Sequence, residues 1–544
     1  MSFNRRNFLR GFSGAVGLSA VAMLGRRFSL FEREASAATV GHYAGYRALV
    51  NVFLVGGNDS NNMVIPYQVT GTPNYGEYTA VRSSPAALQI EKTNATGTGI
   101  DDVGTWLGPQ ATAVYALHPS MPKTAALFNG ATSPNGPNDN VSPDGVKSVA
   151  IVFNVGTLVQ PTTLAQAQAL IGSGGTGEPP VQLPDQLFSH INQQAEWSTA
   201  ITDPSYFFAN ASQAQLAMQN TGWGGRTADL FVSFNPTVKV GSSSLPFPSL
   251  SYYAGPAVFG QGEQLSALSI TAAGTLALNS SGSTAVNNLI QGNASLGITG
   301  ALPEMTSVVS GVAPIDAFSA GMGQALDYAS FRTAARAANP LPTAISALFP
   351  TSLIGQQLLH ITQDIVAGAS AVTSGGLGLR REIFAAGFGS FDTHSNQLAE
   401  QATLLGELDD ALFAFYSAIY QLNLLVANGT LPGVTMPLEV TLFTQSEFTR
   451  TFLPNSTSGS DHAWGGHQLV LGNQVKGGTY GAFPDLTLDG KSDVGEGRWL
   501  PTISSDEYQN TLAVWLGIVD STDEATVFPN LASFPKASVG FMNV

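Results

Sequence analysis

Residues 47–59 read RALVNVFLVGGND, and this stretch decides the fold. An apolar, β-branched run predicts a buried strand, and Gly56-Gly57-Asn58-Asp59 behind it predicts a polar loop at its carboxyl end. The layout recurs in KSVAIVFNVG (147–156), REIFAAGFGSFDTH (381–394) and LEVTLFTQSEFTR (438–450), each apolar first and polar last. Open parallel sheets collect their ligands beyond the carboxyl ends of the strands, so these four ends are where chemistry is expected.

Between the strands, residues 397–427 repeat apolar positions at helical spacing and stop at Asn428-Gly429, and 353–371 predicts a second helix. Strand–helix alternation predicts an α/β fold whose central sheet is mostly parallel and layered between helices. Residues 84–146 and 165–183, rich in Gly, Pro, Asn, Ser and Thr, read as long surface loops. Residues 229–300 read as a β-rich insertion or cap within a single domain, 38–544.

The chain opens MSFNRRNFLR, and Arg5-Arg6 precede a Gly/Ala-rich apolar run too short to span a bilayer, followed by Ala35-Ser36-Ala37. This layout matches a twin-arginine leader, residues 1–37, cleaved on export to the periplasm or medium. The twin-arginine translocase is then a partner during export, and no stable membrane span is expected after cleavage. Six arginines and two glutamates leave with the leader, so the net charge moves from −15 to −19. A surface this acidic repels nucleic acid and anionic lipid. With no cysteine, thiolate metal sites and disulfides are excluded, leaving His, Asp and Glu as the metal ligands to consider.

Five segments carry candidate chemistry. Asp59 follows the first strand, and either binds a metal or forms an Asx-turn. Asp392 and His394 end the third strand two residues apart, where a carboxylate and an imidazole share a metal, or Asp392 caps the next helix. Glu447 and Arg450 end the fourth: a cation ligand and an anion-binding group, or an ion pair. GSDHAWGGH (459–467) sets His462 and His467 in a glycine-bounded loop that either closes over the strand ends or forms a surface turn. Ser189-His190 opens a helix, where Ser189 serves as nucleophile or as a cap, and His190 as a substrate contact.

The segments LVNVFLVGGNDSNNMVIPY, LHPSM, NVGTLVQPTT, LFSHINQQ, GWGGRTADL, FDTHSNQ, TQSEFTR and GSDHAWGGHQLVLGNQVKGG, in this order, resemble an exported bacterial family catalogued as domain of unknown function 1501. The resemblance spans residues 45–485. That family in turn resembles a distant branch of the alkaline phosphatase/sulfatase superfamily. The resemblance implies a three-layer α/β/α sandwich and one or two divalent ions, zinc first with manganese or calcium as alternatives. It implies metal ligation by Asp59, Asp392, His394, Glu447 and His462, and the glycines of the loop let His467 join them as a further ligand. Ser189 is the first candidate nucleophile, with Ser60 and Thr157 open. Phe448 stands where that superfamily carries a ligating histidine, which removes one donor from a second metal site. The expected function is hydrolysis of a small anionic ester, a phosphate or a sulfate. The alternative is a non-catalytic periplasmic protein that binds a ligand or partner on a degenerate hydrolase scaffold.

Overall fold

Strand β1 (Tyr46–Val55) runs through the middle of a nine-stranded sheet in the computed structural model. The structure describes residues 44–543, except 84–86, 134–136, 174–180, 204–219, 241–242, 254–257 and most of 272–307. The other strands are β2 (Val149–Gly156), β3 (Leu250–Ser251), β4 (Leu268–Ser269), β5 (Arg381–Gly389), β6 (Leu438–Gln445), β7 (Gly466–Gly472), β8 (Gly478–Tyr480) and β9 (Ile503–Ser504). Their order is β8-β2-β7-β6-β1-β5-β3-β4, with β9 also beside β2. Only β7 runs antiparallel to its neighbours, so its first residues lie at the edge where the parallel strands end.

Alternation along β1 explains why both faces are covered. Ala48, Val50, Val52 and Leu54 join one core with Leu358, Ile361 and Ile365 of α5 (Leu353–Ala369) and Leu405, Leu408 and Leu412 of α6 (Gln397–Ala427). That core also takes residues of α1 (Pro122–Asn129) and α4 (Ala313–Ala338). Leu49 and Phe53 face the other way, toward Trp197 of α2 (His190–Thr199), Trp223 of α3 (Trp223–Leu230) and Trp515 of α7 (Ser505–Leu516). Period-two alternation turns one apolar strand into contacts for two helical layers. The mixed α/β architecture with a mostly parallel sheet is the one the strand pattern predicts.

Among the described residues, α6 is the one helix long and apolar enough to cross a membrane, but half of its most apolar window is buried within the fold. It packs on α5 and α1, so its hydropathy reflects its place in the core.

Two expected loops contain structure. Region 84–146 holds α1, with Pro122 in its first turn and Gly130 closing it at φ +60°, and a strand, Tyr115–Leu117, paired with Val64–Pro66. Helix Leu164–Ser173 begins the second, built on a Leu/Ala/Gln run of good helix formers with Ala167 buried. In 229–300, Thr237–Val240 pairs with Ser243–Pro246, and β3 and β4 extend the main sheet at its edge. The leader, residues 1–37, and most of 272–307 lie outside the described residues.

Candidate metal centre

Beyond Val55 the chain turns through Gly56 and Gly57 at φ +110° and +78°, a region costly to other residues. Close approach also demands glycine here. A Cβ on Gly56 would lie 2.3 Å from the Asp392 nitrogen, and one on Gly57 2.5 Å from the Phe448 ring. The loops leaving β5 and β6 therefore close tightly over the end of β1. The 455–465 segment returns to the same edge before β7 and packs on the β5 loop, where a Cβ on Gly459 would lie 2.2 Å from the His394 carbonyl carbon. Helix α2 begins at His190, facing them all.

Four donor atoms meet where these segments converge. His462 Nε2 is 3.1 Å from His190 Nε2, 3.1 Å from His394 Nε2 and 3.3 Å from Asp392 Oδ1. Asp392 Oδ1 lies 3.0 Å from His394 Nε2 and 3.5 Å from His190 Nε2. A tetrahedral ion with ligands at 2.0–2.1 Å has ligand–ligand edges of roughly 3.3–3.4 Å, which the three separations among His190, Asp392 and His462 approach and the two from His394 to Asp392 and His462 fall a little below. His190, Asp392 and His462 alone already form a group whose donor atoms lie within 4.8 Å of one another.

The opposite ring nitrogens explain why the Nε2 atoms present lone pairs. His190 Nδ1 lies 2.8 Å from Glu447 Oε1, His394 Nδ1 2.8 Å from Asp461 Oδ1, and His462 Nδ1 2.8 Å from the Phe188 carbonyl oxygen. A carbonyl oxygen only accepts, so His462 carries its proton on Nδ1 and its Nε2 is bare. Ionised carboxylates act the same way on the other two rings. Bare nitrogens and a carboxylate oxygen packed this closely repel one another unless protons or a cation lie between them. Histidines holding metals typically donate their second nitrogen to a carboxylate or carbonyl in this manner.

Phe448 forms an apolar floor, 4.9 Å from the His190 ring and 4.7 Å from the His462 ring by centroids. Glu447 is fully buried and also accepts from Gly56 N at 2.8 Å and Gln194 Nε2 at 3.0 Å. Its hydrogen bond raises the His190 imidazole above its ordinary pKa, against the opposing effect of partial burial. Burial lowers His462, which favours the neutral ring. Partial burial raises Asp392, but the hydrogen bond and charge of Arg450, with His190 and His394, outweigh it and hold the carboxyl below its usual range. Asp392 and His394 are close to half exposed, so the centre opens to solvent on their side.

The structure brings Asp392, His394 and His462 together as donors and sets His190, expected as a substrate contact, among them. Glu447 touches His190 rather than the meeting point. Arg450 is buried, donating to Asp392 Oδ1 at 2.8 Å, Gly56 O at 3.2 Å and Ser460 O at 2.6 Å, so it anchors Asp392 and is not presented to a substrate. Asp59 is not brought to the centre. It caps the four-residue helix Ser60–Met63, which turns its carboxylate inward onto Arg82 at 2.6 and 3.1 Å and onto Gln397. His467, the second residue of β7, also lies elsewhere. Its ring packs on Phe153 and Phe483, its Nδ1 accepts from Asn154 N at 3.2 Å, and burial lowers its pKa to about 3.

Ser189 lies beside His190 in sequence, but its hydroxyl donates to Asn192 Oδ1 at 2.9 Å and makes no bond to the cluster among the described residues. Ser60 and Thr157 are buried on Thr449 and Gln193. Sequence reasoning did not assign the orienting pair Asp461–His394 or the Phe188 carbonyl. The adjacency of Asp461 and His462 carried the first as a signal, and nothing in the sequence carried the second.

Replacing Glu447 with alanine should leave His190 free to rotate and weaken metal binding by about 10–100-fold, the usual cost of losing such an outer partner. Competition against a chromogenic chelator measures this, and an unchanged affinity would show that Glu447 does not orient the ring.

Residues 377–495 match a family described as "Protein of unknown function (DUF1501)". That segment contains Asp392, His394, Glu447, Arg450, Asp461 and His462 but not His190. No curated protein and no solved structure matches the chain.

Proposed function

We propose that the protein is a metal-dependent hydrolase of phosphate or sulfate esters, with one divalent ion held by His190, His394, His462 and Asp392. The convergence of three imidazole Nε2 atoms and one carboxylate oxygen, each imidazole backed through Nδ1, carries this reading. Three imidazoles and a carboxylate suit zinc, and with no thiolate available manganese is the next candidate. A bound divalent ion supplies Lewis-acid polarisation of an ester oxygen and lowers the pKa of a water. The position of the donors at the carboxyl edge of the sheet, facing solvent, is where open α/β sheets place their ligands and is compatible with a distant relation to the alkaline phosphatase/sulfatase superfamily.

The chain's own residues divide the remaining work. Arg450 holds Asp392 by Oδ1, which fixes that oxygen toward the donor cluster and keeps the carboxylate ionised as a donor to the ion. Phe448 excludes water from beneath the rings. Water, rather than Ser189, is the nucleophile in this scheme. The twin-arginine pattern supports a periplasmic or secreted location, where metal would be held by an already folded chain.

The test is a panel of aryl phosphates and sulfates, offered to protein stripped with chelator and then restored with zinc, manganese or calcium. Turnover should depend on metal and survive Ser189→Ala. Loss of all turnover in that variant would return the nucleophile's role to Ser189. A metal-loaded protein inert on every ester would favour a second reading, supported by a donor set supplied by protein side chains, as in structural sites: a metal-stabilised protein that binds a ligand or partner without catalysis.

A further inference from the structure

Resting on the hydrolytic reading, we infer that the centre selects singly charged esters, either phosphodiesters or sulfate monoesters, over doubly charged phosphate monoesters. Charge around the donor atoms decides this. A divalent ion and Arg450 bring three positive charges, and Asp392, Asp461 and Glu447 bring three negative ones, so the loaded site is close to neutral. Sites that act on phosphate dianions commonly direct arginine or lysine at the non-bridging oxygens. Here none is spare.

Among the described residues, three cationic side chains bond to the centre or its loops. Arg82 is buried on Asp59 and the Thr451 carbonyl oxygen. Arg450 is buried and spent on Asp392, Gly56 O and Ser460 O. Arg498 donates to His462 O at 2.9 Å, pairs with Glu496 at 2.5 Å and lies over the Phe188 ring at 5.1 Å. The undescribed segments beyond position 43 contain no lysine or arginine.

Ile191, next to His190 in the first turn of α2, is 81% exposed. The second charge of a dianion meets no further cation here, so the hydration it gives up on reaching the ion is not replaced. A monoanion keeps the contact with the ion and has no second charge to leave uncompensated.

Cobalt-loaded protein tests this without turnover, since its visible spectrum reports ligands entering the metal's coordination sphere. The probes are diphenylphosphinate for a diester, benzenesulfonate for a sulfate ester, and phenylphosphonate at a pH where it carries two charges. At least one of the two monoanions should bind about tenfold tighter than phenylphosphonate, as one charge left without a cation implies, and the tighter of them identifies the ester class. Ile191→Arg, which adds a cation at the rim, should tighten phenylphosphonate by about fivefold and the monoanions by less.

Phenylphosphonate binding as tightly as both monoanions would overturn the inference, as would failure to take up cobalt. Monoanion selectivity in a protein that hydrolyses no ester would uphold the inference about charge and overturn only the hydrolytic reading. Faster hydrolysis of aryl phosphate monoesters than of diesters and sulfates would do the reverse.

Discussion

Replacing His462 with alanine is expected to remove stoichiometric metal from the purified protein. His462 Nε2 touches all three other donors, at 3.1, 3.1 and 3.3 Å, a position it shares with Asp392 Oδ1. Its loss leaves Asp392 Oδ1 as the one donor between His190 and His394 and opens a void above the Phe448 ring. Removing an outer hydrogen-bond partner typically weakens metal binding by about 10–100-fold, so losing a direct donor should exceed about a hundredfold. Elemental analysis of protein prepared without chelator measures the effect, and a parallel thermal melt shows whether the fold survives. Combining the change with Asp392→Ala should leave no binding. Undiminished metal in that double variant would remove the assignment.

The second large effect concerns stability. Asp59→Ala should destabilise the protein by about 3–5 kcal/mol, the usual cost of leaving a buried charge without its partner. Both side chains of the Asp59–Arg82 pair are fully buried, and two hydrogen bonds join them. Asp59 also receives Gln397, which in turn accepts from the Ser460 hydroxyl, so the effect should spread into the loop that carries His462. A companion Asp59→Ala/Arg82→Met variant, with neither charge present, should recover much of the loss. Denaturant melts decide the matter. If Asp59→Ala abolished metal binding while stability stayed unchanged, Asp59 would be a ligand after all.

These expectations show which parts of the site local sequence could reveal. Asp392, His394 and His462 were legible because strand ends point polar residues at one edge, and the glycine-bounded loop before β7 returns to it. His190 was visible as a residue, but its role depends on where α2 docks, and that is set by tertiary packing of Trp197 against the far face of the sheet. Asp59 misled because two glycines free the chain direction. The same carboxylate can face solvent or turn inward, and only Arg82, in the helix Tyr75–Arg82, decides between them. His467 carried a signal that was passed over: GHQLVLG is an alternating strand, and its second residue need not face the site its preceding loop serves. The fold itself was more legible. Long apolar runs specify strands whatever surrounds them, whereas composition alone hid α1 inside a Gly/Pro-rich region, because one proline and one glycine there mark its ends.

Anomalous X-ray scattering from crystals of protein prepared without chelator tests the central claim most directly. The account predicts a single strong peak about 2.0–2.2 Å from Nε2 of His190, His394 and His462 and from Oδ1 of Asp392. No metal peak among those four atoms, or one elsewhere at Asp59 or His467, would contradict it.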